Sequence, residues 1–374
     1  MRNDDDTHTV TLTVNGTDYE GWKSIRISAG IERQARDFTL AITRSWTKGY
    51  STSELMKLSK MIHPGDTCTV RIGNDLVLTG YVDATPINYD ATQISISVNG
   101  RSKTADLIDC SVSNQPGQWR HAKLEAIAQD MASVYGIQVV SQVDTGAAIR
   151  EHQIQQGETV FESIERLLRN KYILATDNAL GELVLIDVGT EVAHTALVLG
   201  ENIKQADTSL DYKDRFSEYL CKGQNGSLDD ALGDSSACMA RLLDHNVARR
   251  RTLIIKQSGQ VDEASCQDRV EYERASRAAR TLETHYTVQG WRQSNGALWQ
   301  PNMRVHVRDP VIGFDTTMLI VAVEYRLDEQ GTVALLKVGP VGGYAVKAVA
   351  KKTAPTNISK VSWRDAPIIA PFLR

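Results

Sequence analysis

The sequence contains little cysteine, little proline and no long apolar run. Its five cysteines are scattered over 374 residues, with no Cys-x-x-Cys pair and no histidine at metal-ligand spacing, so neither a disulfide scaffold nor a zinc module is expected. No apolar stretch approaches the roughly 20 residues that a membrane-spanning helix needs. The polar start Met1–Thr7 does not have the pattern of a secretion signal. We therefore expect reduced cysteines, folding in a reducing cytosol and no membrane insertion.

Charge of one sign is also not in excess. The chain carries 42 basic and 46 acidic residues, a net charge of -4, which predicts no global field that would recruit nucleic acid or an anionic membrane. The composition, 41% hydrophobic and 24% charged, is ordinary for a globular protein. The length exceeds what one hydrophobic core organises, so roughly two to four domains are expected.

Motifs of the familiar enzyme classes are missing too. The sequence has no GxSxG elbow, HExxH, Walker A or GxGxxG pattern, and none of its eight histidines lies in a recognised catalytic motif. His63, just before Pro64, is interpreted as a loop residue, and His121 as the start of a helix. The sequence thus predicts a non-enzymatic protein with no catalytic, cofactor-binding or metal-ligating residue and no cofactor.

The first third of the chain shows alternation of apolar and polar residues, the period of a β-strand with one buried face. Six such strands, two of them joined in a hairpin that turns at Gly73–Asp75, would expose unpaired edges in an open sheet, which favours a small closed barrel or a sandwich. Their apolar positions are Val10, Leu12 and Val14; Ile25 and Ile27; Phe38, Leu40 and Ile42; Cys68, Val70 and Ile72; Leu76, Leu78 and Val82; and Ile94, Ile96 and Val98.

A helical period follows, predicting a compact α/β module. The stretch from His121 to Tyr135 has an apolar face, with Gly136 as a C-terminal cap, and a short strand is expected at Ile137–Val140. In the segment GETVFESIERLL, Thr159 and Glu162 have the spacing of a capping box. Two strands then flank a polar turn at residues 177–182. The apolar face of the first helix comprises Leu124, Ile127, Ala128, Met131 and Val134; that of the second comprises Val160, Phe161, Ile164, Leu167 and Leu168; the two strands are Tyr172–Thr176 and Leu183–Ile186.

Strands return in the second half, around one helix at Asp262–Glu283. Ion pairs one turn apart, such as Glu273 with Arg277, predict a solvated helix face. From residue 341 onward six basic residues face one acidic residue, Asp365, and no core period is present, so an extended tail is expected. The predicted strands are Arg215–Gly223, the region of Val305 and Val307, Leu319–Leu327 and Thr332–Val338.

The order of these parts resembles the phage baseplate hub family, which includes late-control tail proteins and the hub half of type VI secretion spikes. The likeness is carried by the N-terminal barrel, the GETVFESIERLL module, the strand entered through Asp211–Ser217, the helical insertion and the final hairpin Leu319–Val338. It implies a multidomain, mainly-β fold with two similar small β-barrels plus α/β (LysM-like) and helical insertions. The implied domains are 8–112 and 205–225 plus 284–340 for the barrels, 113–204 for the α/β domain, 226–283 for the insertion and 341–374 for the tail.

The resemblance implies a structural hub of a contractile phage tail. Such a hub is a homotrimer whose six barrels form a ring, so that a six-fold tail tube can meet a three-fold central spike. Its location would be the virion baseplate, assembled in the host cytoplasm, with tail tube, spike and wedge proteins as partners. DNA would pass the channel non-specifically during ejection, along polar side chains such as Ser95, Ser97, Thr11 and Thr13, although any solvent-facing strand has such residues. The basic charge and missing core pattern of Lys351–Arg374 further suggest the hypothesis that this segment is an arm that grips the spike or an adjacent baseplate protein.

Two alternatives stay open at this point. GETVFESIERLL also resembles the start of a LysM module, which indicates a peptidoglycan-binding or wall-degrading tail protein; Glu158, Glu162 and Glu165 are the candidate carboxylates, but Glu162 is needed for the cap and the others are expected to face water. Arg249–Arg251 is the densest basic cluster and would suit nucleic acid, yet it is more typical of an exposed turn or a subunit salt bridge.

Overall fold

The computed structural model describes residues 7–45, 62–90, 93–208, 211–224, 237–257, 263–328 and 331–344. The helices within this part are α1 Ala105–Asp109, α2 Leu124–Ser133, α3 Val160–Lys171 and α4 Glu263–Arg280, with a 3-10 turn at Val341–Gly343. The strands are β1 Val10–Val14, β2 Thr17–Tyr19, β3 Ser24–Gly30, β4 Asp37–Ser45, β5 Thr67–Ile72, β6 Asp75–Ala84, β7 Ile87–Tyr89, β8 Gln93–Ser102, β9 Gln118–Ala122, β10 Val139–Ser141, β11 Ile149–Gln153, β12 Leu174–Asp177, β13 Leu183–Ile186, β14 Glu191–Val192, β15 Leu197–Val198, β16 Ile203–Thr208, β17 Glu218–Gln224, β18 Ala237–Leu243, β19 Thr252–Lys256, β20 Thr284–Gln289, β21 Met303–Asp309, β22 Phe314–Asp328 and β23 Gly331–Pro340.

The first barrel has its main strands in the order β3-β4-β8-β6-β5-β1. The predicted alternation is confirmed, because β1 buries Val10, Leu12 and Val14 while its threonines point outward. β5 and β6 form the predicted hairpin, in which Gly73 adopts a left-handed φ of 57° that glycine accepts without strain. The expected closure differs: within the described residues, β3 pairs with β22 of the second half of the chain and not with β1.

The second barrel repeats this topology. Its strands lie in the order β16-β20-β23-β22-β21-β15. Taken in sequence order, β15, β16, β20, β21, β22 and β23 hold the same places in this sheet as β1, β3, β4, β5, β6 and β8 hold in the first barrel. The register repeats as well, since Ile320 pairs with Val338 as Val82 pairs with Gly100. A β-bulge follows Ile320 in one barrel and Val82 in the other. One difference is that β15 runs parallel to β21, whereas β1 runs antiparallel to β5.

One continuous hydrophobic core fills both barrels. It includes Leu12, Leu40 and Val98 of the first and Tyr286 and Leu336 of the second, all of them fully or almost fully buried. Because β22 belongs to the second barrel and also extends the sheet of the first, the two barrels share a single 15-stranded sheet within the described part of the chain. This mainly-β, multidomain architecture confirms the predicted fold class.

The α/β unit lies between the barrels in sequence and has its own core. Helices α2 and α3 pack over a sheet in which β13 is flanked by β10 and β12. Four of the five predicted α2 core residues are buried, but Val134 is the C-cap and is 51% exposed, which corrects the predicted face. α1 also contributes, through Leu107.

The predicted boundaries need two corrections. Residues 218–224 were expected in the second barrel, yet β17 pairs with β18 and β19 in a separate sheet that packs on α4. Residues 191–198 were expected in the α/β domain, yet β14 and β15 pair with β21 of the second barrel. In both cases strands adjacent in sequence pair with different sheets, which periodicity does not reveal. Apart from these two corrections, the division into the predicted domains remains a prediction.

Candidate assembly surface

The junction between the barrels is an antiparallel pairing of β3 with the second half of β22. Ile25 lies opposite Leu327, and Ile27 opposite Tyr325. Ile25, Ile27 and Tyr325 are at most 4% exposed, and the Tyr325 hydroxyl donates a hydrogen bond to the carbonyl of Trp299. The chain thus joins one barrel to the next through strand edges and buries the side chains at the contact.

Charged side chains cover the outer face of this junction. Glu324 accepts hydrogen bonds from Arg26 at 2.9 Å and from Arg326 at 2.5 Å, and Arg26 also contacts Asp37 at 2.9 Å. Burial by itself would raise the pKa of Glu324, but the hydrogen bond from Arg326 and the charge of Arg26 outweigh it, so the pKa is lowered. Because Arg26 and Arg326 lie directly opposite each other, Glu324 separates two like charges.

The α/β unit is fastened to the first barrel through Asp177. Its carboxylate accepts hydrogen bonds from the Arg36 backbone N–H at 2.9 Å and from Arg36 Nε at 3.3 Å. The neighbouring Thr176 hydroxyl lies 2.8 Å from the carbonyl oxygens of both Gly30 and Arg33. The polar turn predicted at 177–182 thus begins with a buried residue that holds two units together.

A second ionic cluster links α4 to both barrels. Lys337 contacts Glu283 at 2.8 Å and Glu32 at 3.1 Å, and Arg280 reaches Glu32 at 3.3 Å. Burial would lower the pKa of Lys337, but the two carboxylates raise it. The predicted ion pair of Glu273 with Arg277 forms, at 2.9 Å. The predicted solvated face of α4 is nevertheless partly covered, because the Glu273 side chain is only 14% exposed.

The GETVFESIERLL segment forms the predicted capping box. The Thr159 hydroxyl accepts from the Glu162 N–H at 3.2 Å, and Glu162 accepts from the Thr159 N–H at 2.8 Å. Glu158 was expected to face water, but its side chain is only 8% exposed and pairs with Arg166 at 2.8 Å. Glu165 is half-exposed and pairs with Arg169 at 2.7 Å. All three carboxylates are held by contacts within the chain, which does not favour glycan hydrolysis.

A histidine and serine pair was not singled out from the sequence. His152 Nε2 lies 2.8 Å from Ser163 Oγ, and Trp119 packs on the imidazole at a ring distance of 5.8 Å. Burial, followed by the charge of Arg166, lowers the pKa of His152. Since Ser163 is fully buried, its hydroxyl is not accessible to a substrate. The residues are 11 apart, on β11 and α3, and only the fold brings them together.

His63, His121 and two arginines of the basic cluster, Arg249 and Arg250, are exposed at the surface. His63 is an exposed loop residue, as predicted, and its backbone N–H donates to the Asp66 carboxylate at 2.7 Å. His121 is not a helix start: it lies in β9 with a φ of 51°, and α2 begins at Leu124. Arg249 and Arg250 are exposed in the connection between β18 and β19, as expected of a turn.

The predicted channel-lining residues lie on outward strand faces. Thr11 donates to Glu20 and Thr13 to Asp18, each at 2.7 Å, on β1. Ser95 accepts from Thr43 at 3.2 Å on β8. The proposed arm Lys351–Arg374 lies outside the described residues.

No group of three metal-ligating side chains occurs within residues that the structure describes. No described helix combines the length and apolar character needed to cross a bilayer.

Comparison with known proteins identifies the family. A model for the N-terminal part of Mu phage baseplate assembly protein GpP-like matches residues 9–102, one for the second domain of gp44-like baseplate hub proteins matches 104–212, and one for the fourth domain of GpP matches 262–347. The chain belongs to the family of phage baseplate hub proteins, and its role is structural, in the baseplate.

Particular relatives agree with this assignment. The baseplate hub protein gp44 of Escherichia phage Mu is 33% identical over 350 residues, covering 91% of this chain and 89% of that protein. The 43 kDa tail protein of prophage MuSo2 from Shewanella oneidensis is 31% identical, with a TM-score of 0.80 over 90% of this chain and 99% of that one. A tail protein from Neisseria meningitidis shares the fold, at 21% identity and a TM-score of 0.77, over 90% and 98% of the two chains. Within the family, the order of parts in the sequence pointed to the baseplate hub P protein of phage Mu in particular, and these matches confirm that likeness.

Proposed function

We propose that this protein forms a homotrimeric ring at the centre of a contractile-tail baseplate. The ring joins the tail tube to the central spike and surrounds the channel through which DNA leaves. One observation carries the proposal: a single chain holds two barrels of the same strand order, already joined edge to edge through β3 and β22. Three such chains present six like barrels, which suits a six-fold tube on one side and a three-fold spike on the other.

The role is mechanical, with no chemical step. The carboxylates Glu158, Glu162 and Glu165 are held by capping and ion pairs, and the buried Ser163 offers no accessible nucleophile. Tail tube, spike and wedge proteins are the partners that fit this role. DNA would meet polar strand faces such as those of Thr11 and Ser95, which make few phosphate contacts and so let it slide.

Native mass spectrometry of the full chain tests the ring. The expected result is a species of three times the 41.3 kDa chain mass, with little monomer at micromolar concentration. Addition of the central spike protein of the same phage should give a complex with three copies of each. A monomer that persists with and without the spike would contradict the proposal, and cleavage of glycan strands in a zymogram would indicate a wall-degrading protein instead.

A further inference from the structure

The repeated topology indicates where one copy meets the next. In the first barrel, β6 and then β7 pair with β8; in the second, the single long strand β22 pairs with β23. Tyr89 pairs with Ile94 and Ile87 with Ile96, as Leu327 pairs with Thr332 and Tyr325 with Ala334. β7 therefore occupies in the first barrel the place that the end of β22 occupies in the second.

The opposite edge shows the same correspondence. Ile25 of β3 pairs with Leu40, and Ala206 of β16 pairs with Tyr286. The central pairs agree, because Leu40 pairs with Val98 as Tyr286 pairs with Leu336. Ala206 thus stands at the position of Ile25, and by the same register Thr208 stands at that of Ile27.

Each chain consequently contains one completed junction and the two separate halves of another. The completed one, β3 with β22, leaves its inner side chains buried. At the equivalent positions of the first barrel, Tyr89 is 77% and Ile87 is 45% exposed. Ala206 and Thr208 of β16 are exposed too, and within the described ranges neither β7 nor β16 pairs with a strand along its outer edge. Open strand edges with apolar side chains favour pairing with another chain.

We infer that β7 of one copy pairs antiparallel with β16 of the next copy, reproducing the β22 to β3 junction between chains. This inference rests on the proposed ring and names the contact that closes it. Transferring the in-chain register places Tyr89 opposite Ala206, Asn88 opposite Asp207 and Ile87 opposite Thr208. Tyr89 and Ile87 then lose their exposure to water. Asn88 and Asp207 form an amide and carboxylate pair where the in-chain junction has Arg326 opposite Arg26.

The pairing also explains closure. The contact is heterologous, because one edge of each copy meets a different edge of its neighbour. If every junction has the geometry of the in-chain one, successive barrels are related by one constant rotation, and in-chain and between-chain junctions alternate around the ring. The outer edges of β7 and β16 are then both paired in the assembly, so neither of these two edges is left open for aggregation.

Cysteine trapping in the full-length protein tests the register. The double variant Asn88→Cys with Asp207→Cys, oxidised with copper phenanthroline, should give covalent dimers and closed trimers on non-reducing gels. Each single variant shows the background from the native cysteines, and the pair Asn88→Cys with Lys204→Cys serves as an off-register control. Linked trimers at least tenfold more abundant in the first pair than in these three controls support the inference.

A second variant measures the contact without cross-linking. Tyr89→Asp would bury an unpaired carboxylate at the junction and should weaken trimer association at least tenfold by native mass spectrometry. Val134→Asp is the matched control, since Val134 is 51% exposed on the α/β unit and should leave association unchanged. If the wild-type protein is a trimer but the cysteine pair does not cross-link and Tyr89→Asp does not weaken association, this junction is overturned while the ring stands. A monomer under all conditions would instead overturn the ring itself, and the junction with it.

Discussion

Arg36 of the first barrel and Asp177 of the α/β unit form a buried ion pair, although they are 141 residues apart in the chain. Arg36 Nε lies 3.3 Å from Asp177 Oδ1, and the Arg36 N–H donates to the other carboxylate oxygen at 2.9 Å. The Asp177 side chain is 1% exposed. Burial raises the pKa of Asp177 even though Arg36 opposes the shift. The pair thus carries a desolvation cost, and its value lies in orienting the α/β unit on the first barrel.

Removing one partner of this pair should be costly. Asp177→Ala leaves the largely buried Arg36 guanidinium without its carboxylate partner, although Ser102 Oγ and the Val77 carbonyl still accept from Arg36. We therefore expect a loss of about 3 kcal/mol in the free energy of unfolding. Asp177→Asn keeps one acceptor oxygen and should lose less than half as much. Urea unfolding followed by tryptophan fluorescence measures both. Equal losses for the two variants would show that side-chain volume, and not hydrogen bonding, matters at this position.

The capping box of α3 provides a smaller, well-defined effect. Thr159→Ala removes the hydroxyl that accepts from the Glu162 N–H and should reduce stability by about 1 kcal/mol. Thr159→Ser keeps a hydroxyl and is the matched control, with a loss of under about 0.5 kcal/mol. Thermal melts followed by circular dichroism distinguish them. If the alanine variant melts with the wild type, the cap does not limit the stability of this unit.

His152 should make the protein sensitive to mild acid. Its pKa is lowered in the folded state, so the unfolded chain takes up a proton first as pH falls below about 6.5. Stability present above that pH is lost progressively until the folded-state pKa is reached, by at most about 1.4 kcal/mol at pH 5.5, one unit below the unfolded-state pKa. His152→Gln can still hydrogen-bond Ser163 but does not titrate. Urea midpoints at pH 7.5 and 5.5 should differ less in this variant than in the wild type; an identical difference would assign the acid sensitivity to other groups.

Glu324 at the barrel junction behaves in the opposite sense to Asp177. Its pKa is lowered, so the stabilisation from its carboxylate is present at neutral pH and is lost as pH falls below about 4.3 toward the folded-state pKa. Glu324→Gln should cost about 1–2 kcal/mol at pH 7, because the charged hydrogen bonds with Arg26 and Arg326 are weakened. Glu201→Gln, at an exposed position, is the control and should change little. Calorimetry at pH 7 and pH 4 is the measurement: a Glu324→Gln loss at pH 4 as large as at pH 7 would contradict the charge-based account.

Local patterns predicted the individual elements well. Strand β13 was placed at Leu183–Ile186, where the structure has it, and the capping box at Thr159 and Glu162 forms as predicted. Both signals depend on residues close together in sequence, where period and backbone hydrogen bonding decide the conformation. β7 was missed because Ile87 and Tyr89 make a run of only three residues between Pro86 and Asp90, too short to show a period.

Partner strands and buried polar pairs required the fold itself. By itself the sequence determined that the chain is mainly β, divided by an α/β module, because alternation and helical period are written into neighbouring residues. Only the tertiary structure decided that β3 pairs with β22, that β17 leaves the barrel, and that Arg36 meets Asp177. Those choices depend on shape and burial between segments that are separated by 298 residues in the case of Arg26 and Glu324, and a strand edge carries no local mark of the strand that will cover it.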